Sequence, residues 1–120
     1  MSAHRWKTSL AGTAILCLAL LLAAPATAAS YRSCKPVKNP YAGTRYEGVD
    51  LTHIRALRVS CARARRVARG AHAKALGITP PVSGIRDFRW RSWTVTGDLR
   101  GDHDRYLARA HGKKRVRWRF

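Results

Sequence analysis

The sequence predicts an α+β domain: one main helix packed on a three-stranded antiparallel sheet, or a four-stranded one if an earlier segment joins it, closed by one disulfide. Three observations carry this. Residues Cys61 to Leu76 repeat small apolar side chains at helical spacing between a good N-cap and a stop signal. The last third, from Phe88 to Phe120, alternates aromatic or branched residues with arginine, as half-buried strands do. Two cysteines, Cys34 and Cys61, remain once an N-terminal leader is set aside.

Residues 1–28 have the three parts of a signal peptide. Arg5 and Lys7 form the positive start, Ala14 to Ala24 is an unbroken apolar run, and Ala26-Thr27-Ala28 is a small-x-small cleavage site behind Pro25. The run is short for a span, which needs about 20 apolar residues; an uncleaved anchor is the rival reading. Cys17 follows Leu16, where lipid attachment wants a small residue, so it reads as apolar filler. Export leaves Cys34 and Cys61 to pair in an oxidising compartment. Free thiols or an intermolecular link are the alternatives. The bridge closes a loop of about 28 residues, worth about 3–4 kcal/mol in the chain-entropy account.

Residues 29–49 read as an irregular arm, with Pro36, Asn39-Pro40 and Gly43 as breakers, lying extended over the surface and held by Cys34. The folded unit is residues 50–120. Val49 to Val59 alternates imperfectly, and period two fails at Ala56-Leu57. It reads as a strand near His53 to Leu57, or as a first helical turn opening at Asp50 or Thr52. Ser60 then caps the helix, and Cys61, Ala64, Ala68, Ala71 and Ala75 share one face. Arg63, Arg65, Arg66 and Arg69 fall mostly on the other faces. So slim a stripe suits close packing against a sheet. Gly70 costs about 1 kcal/mol of helix stability relative to alanine, which a close backbone approach would explain. Gly77 caps the end and Pro80-Pro81 forbids continuation.

Phe88 and Trp90 alternate, then Trp93 and Val95 alternate out of phase, which one extra residue at Arg91-Ser92 explains as a β-bulge. Gly97 to Asp104 is a polar loop. Tyr106, Ala108 and Ala110 alternate with Arg105, Leu107 and Arg109, and His111-Gly112-Lys113 makes a tight connection. In the final segment Val116, Trp118 and Phe120 face one way and Arg115, Arg117 and Arg119 the other. It is the cleanest strand pattern in the chain.

At this point the segment Ile54-Arg55-Ala56, followed by Val59-Ser60-Cys61-Ala62-Arg63-Ala64-Arg65-Arg66-Val67-Ala68, resembles a group of small uncharacterised secreted actinobacterial proteins. They share a V-S-C-x-x-A-R helix start and a C-terminal β-hairpin. The resemblance covers roughly residues 50–120. It implies export and this fold, and no activity. Such proteins often carry a second cysteine pair in the hairpin, and the matching positions are Val95 and Ala108, both apolar here.

The chain carries 24 Lys and Arg against 6 Asp and Glu, a formal +18, and without Arg5 and Lys7 it is still +16. That excess draws polyanions: nucleic acid, anionic lipid or acidic wall polymers. Solubility, or a coding bias toward Arg and Ala, produces the same totals. The anion-binding candidates are Arg89, Arg91, Lys113, Lys114, Arg115, Arg117 and Arg119, interleaved with Trp90, Trp93 and Trp118. Arginine can grip an anionic chain while rings stack on its bases or sugars; strand alternation instead turns the rings inward and leaves only charge outside. No catalytic or metal signature appears. Asp102-His103-Asp104 is one loop triplet, whereas zinc needs three or four spaced ligands, and a bridged Cys61 cannot act as a nucleophile. The expectation is a secreted, monomeric, non-enzymatic module without a cofactor, weakly drawn to an anionic polymer or envelope surface with no specific nucleic acid. A protease inhibitor using the Gly97 to Asp104 loop, or a nuclease-like hydrolase, are the alternatives.

Overall fold

The computed structural model describes residues 29–78 and 84–120. The leader reading of residues 1–28 and the stop at Pro80-Pro81 lie outside the described residues. The remainder forms one helix, α1 (Cys61–Leu76), and six strands: β1 (Arg32–Ser33), β2 (Thr52–Leu57), β3 (Ile85–Trp90), β4 (Trp93–Asp98), β5 (Arg105–Ala110) and β6 (Lys114–Arg119). They make one sheet in the order β1-β2-β6-β5-β4-β3, every neighbouring pair antiparallel. Helix α1 crosses one face. The α+β class and the single disulfide stand, but the sheet has six strands rather than three or four.

Two physical facts account for the difference. The phase change at Arg91-Ser92 is a hairpin turn, not a bulge: Trp90 and Trp93 are directly paired, so the stretch is two strands joined by two residues. Arg91 takes the left-handed φ of 53° that such turns need. The arm also contributes a strand. Arg32 and Ser33 pair with Ala56 and Arg55, and farther along Val37 bridges Leu51 with both backbone hydrogen bonds, 2.9 and 3.0 Å. A bulge does occur, in β2. The register slips between Thr52 and Arg55, and His53 sits at φ 50°. Leu51 and Ile54, three apart, are both fully buried for that reason.

The helix start is as its residues dictate. The Ser60 hydroxyl accepts the Arg63 N–H at 3.2 Å, and Gly77 closes the other end. Cys34 and Cys61 are bridged with their Cα atoms 5.4 Å apart, which fastens the arm to the base of α1. Ala64, Ala68, Ala71 and Ala75 are all buried against Ile54, Ala56, Val95, Ala108 and Val116. With so little side chain on the helix, bulk comes from the sheet: Trp93, Tyr106 and Trp118 are 4 % exposed or less. The close approach at Gly70 is made by a side chain, not a backbone. A Cβ there would lie 2.1 Å from Cζ2 of Trp90. Gly97 plays the same part in β4, where a Cβ would meet the Tyr106 ring at 2.5 Å. Tyr106 in turn stacks on Trp118, centroids 5.3 Å apart and planes 4° from parallel.

His72 lies in the middle of this core, fully buried. Its Nδ1 accepts the indole N–H of Trp118 at 3.1 Å, which puts the ring proton on Nε2. Nε2 has no hydrogen-bond partner among the described residues. Phe120, at 4.1 Å between centroids, and Tyr106, at 4.8 Å, close around the ring.

Candidate functional site

The helix covers one face of the sheet and leaves the other open, and the register decides what stands on that open face. Directly paired residues in an antiparallel sheet point to the same side. Arg55 pairs with Arg117, Arg105 with Arg119 and Arg109 with Arg115, so these six arginines share the uncovered face of β2, β6 and β5. Residues paired across strands hold their Cβ atoms about 5 Å apart, and alternate residues along one strand repeat about every 6.8 Å. The result is a two-dimensional array of guanidiniums. A depression of about 240 Å³ opens among His53, Arg55, Arg105, Arg117 and Arg119. Arg117 is steadied by the Tyr31 ring, 4.4 Å from its centroid.

The array is largely uncompensated. Among the described residues the only ion pair is Arg100 with Asp98, 3.0 Å apart and exposed. Asp98 faces Arg105 from β4, and its bond to Arg100 holds its carboxyl down to about 2. Asp87, on β3 of the same face, accepts the Thr96 hydroxyl of β4 at 2.7 Å. Like charges set opposite each other across strands destabilise a sheet, and here three such pairs stand side by side.

Other basic residues serve the fold. Arg32 donates to Val59 O at 2.8 Å, Arg65 to Pro36 O at 3.2 Å and Arg86 to Ala75 O at 3.0 Å, while Lys74 donates to Arg89 O. Arg86 thereby meets the negative end of the helix, where a cation is favoured.

The seven residues singled out from sequence are not brought together. Arg115, Arg117 and Arg119 belong to the array. Arg89 stands on the same face but on β3, across from Thr94. Lys113 is at the β5–β6 turn, exposed, with φ 58°. Lys114 pairs with Ala110 on the side that the helix covers, and Arg91 sits at the β3–β4 turn. Of the tryptophans, Trp93 and Trp118 are buried and Trp90 is half-buried. Sequence reasoning missed Arg55, Arg105 and Arg109. Their signal was present in the alternation of each strand, but the strand neighbours that unite them were not. Asp102 and His103 are exposed at a loop tip, and no group of three potential metal ligands occurs among the described residues. No helix among them is long and apolar enough to cross a membrane.

With the fold and this face described, comparison with known protein families, curated proteins and solved structures finds no match.

Proposed function

We propose that this is a secreted, non-enzymatic module that holds anionic polymers against the open face of its sheet. The observation that carries the reading is the set of three facing arginine pairs, Arg55/Arg117, Arg105/Arg119 and Arg109/Arg115, without carboxylates between them. An extended polyanion laid along β6 meets a guanidinium at each alternate residue and a second row from β5. It relieves the repulsion that the sheet otherwise bears. Binding of this kind releases counterions, so affinity falls steeply with salt.

Retention on immobilised heparin tests it. The protein should hold beyond physiological ionic strength, about 0.15 M. Replacing Arg55 and Arg117 together with Gln should move elution to lower salt and shrink the slope of log K against log salt by about 1.4, at about 0.7 per lost contact on a single-stranded polyanion. Elution of the folded parent below physiological salt, or an unchanged slope in the variant, would overturn the reading.

A further inference from the structure

The side of the molecule that carries the helix has its own basic concavity, physically separate from the sheet's open face. A groove of about 630 Å³ runs between the first half of α1 and the β3–β4 turn, with the arm as its third wall. Arg63, Arg66 and Arg69 border it from the helix and Arg91 from the turn, all four exposed. Buried Trp93 and half-buried Trp90 and Tyr41 supply its ring surfaces. Among the described residues no carboxylate lines it.

Three features make this more than scattered charge. First, the guanidiniums are aligned by rings: Arg91 lies over the Trp90 indole at 4.6 Å and Arg63 stands 6.0 Å from the Trp93 ring. Cation–π contact of this kind restricts a long side chain before any ligand arrives. Second, the seat of Trp90 requires a glycine in mid-helix, since any Cβ at Gly70 would collide with its ring. Third, Arg91 occupies a left-handed turn position that favours glycine or asparagine. The glycine and the left-handed turn residue each cost stability, and together they place one ring and one guanidinium at the mouth of the groove. Tyr41 is fixed as well, its hydroxyl donating to Arg69 O at 3.0 Å.

We infer that this groove binds an organic phosphate: a phosphoryl group held by Arg63, Arg66 and Arg91, with its sugar or base against the aromatic wall. Four guanidiniums without a counter-charge call for more than one negative charge on the ligand, and the guanidinium fork fits phosphate oxygens two at a time. The volume is too large for free phosphate. It matches a ligand the size of a sugar phosphate or a mononucleotide, within the ordinary range of small-molecule pockets.

Titration calorimetry on the full chain at low salt tests this, with glucose 6-phosphate, adenosine 5′-monophosphate, glucose and inorganic phosphate as separate probes. Saturable binding of either organic phosphate, stronger than that of glucose or inorganic phosphate, is expected. The two organic probes tell a sugar source from a nucleotide source. In the Arg63→Gln, Arg66→Gln double variant, affinity for the organic phosphate should fall roughly tenfold per arginine, with heparin retention kept. The Arg117→Gln, Arg119→Gln variant should do the reverse. These positions are exposed or at the sheet surface, and circular dichroism verifies that each variant folds. The inference is overturned if neither organic phosphate saturates at millimolar concentration. Affinity unchanged in the groove variant, or lost equally in both variants, overturns it as well. Because the two surfaces are read by different variants and different probes, failure of one leaves the other intact.

Discussion

Acidification from pH 7 to pH 4 should remove about 3 kcal/mol of stability through one side chain. Burial, reinforced by the charge of Arg86, holds the His72 imidazole down to about 3, against 6.5 for the free group. In the unfolded chain the ring takes up a proton below about 6.5, while in the fold it resists until about 3. Its contribution is therefore present in full above about 6.5 and is lost as pH falls toward 3. The loss is about 1.4 kcal/mol per pH unit, or about 3 kcal/mol over the 2.5 units from 6.5 to 4. A domain of this size has about 5–10 kcal/mol in total, so Tm should fall by more than about 12 °C. Two carboxylates act in other windows. Asp98 is held low by Arg100, so its share is lost only below the ordinary carboxylate range. Burial raises the Asp104 carboxyl, so its contribution grows as pH falls. The isolating control is His72→Gln, whose amide oxygen can still accept the Trp118 N–H and cannot ionise. Urea unfolding at pH 7, 6, 5 and 4, followed by tryptophan fluorescence, should give a parent-minus-variant difference that shrinks steadily across the range. Parallel curves for the two proteins would refute the reasoning.

Four further outcomes follow from the same geometry. Gly70→Ala gains about 1 kcal/mol of helix propensity but must expel the Trp90 ring; the net should be a loss of about 1–3 kcal/mol with red-shifted emission, and a net gain in Tm counts against the packing described. Replacing Cys34 and Cys61 with Ser should cost about 3–4 kcal/mol in urea titrations, and loosening should be first seen by exchange of the backbone amides at position 34 and Val37 in the arm. Arg55→Thr together with Arg117→Thr should stabilise the sheet by up to about 1 kcal/mol while weakening heparin retention; a loss of stability speaks against the repulsion. Cysteines at Val95 and Ala108, which are directly paired and both fully buried, should oxidise spontaneously to a second bridge that mass spectrometry detects and that adds about 3 kcal/mol.

What the sequence made legible was what depends on near neighbours. Ser60, the alanine stripe and Gly77 define α1 locally, and Cys61 to Leu76 is its observed extent. Strict alternation in the final segment made β6 visible. The errors arose where one local pattern has two three-dimensional causes. A phase change at Arg91-Ser92 marks a bulge or a turn, and only the pairing of Trp90 with Trp93 separates them. Arg32 and Ser33 are too short a strand to have a period, and they exist as one because the disulfide and the edge of β2 hold them. The candidate face was legible one strand at a time. Arg55 and Arg117 are 62 positions apart, so nothing but the register places them opposite each other. His72 carried no signal at all, since its role depends on an indole 46 residues away.

A coding bias toward arginine and the use of arginine for binding predict different placements. Bias scatters the residue over positions where it costs nothing, on helix exteriors and loop tips. Several basic residues here stand where their charge or backbone is costly. Arg58, Arg91 and Lys113 have φ between 53° and 58°, a left-handed conformation that favours glycine or asparagine and costs an L side chain about 1 kcal/mol or more. Arg55/Arg117, Arg105/Arg119 and Arg109/Arg115 set like charge against like charge at about 0.2–1 kcal/mol a pair. In a domain whose stability is about 5–10 kcal/mol, those costs are not negligible, and of the six acidic residues Asp98 alone is paired in the sheet with one of these arginines, Arg105. An anionic partner on the open face turns the second set from a cost into a source of affinity. For that reason the outer-face substitutions, which should raise stability and lower retention together, are the sharpest means of separating the two origins of the charge.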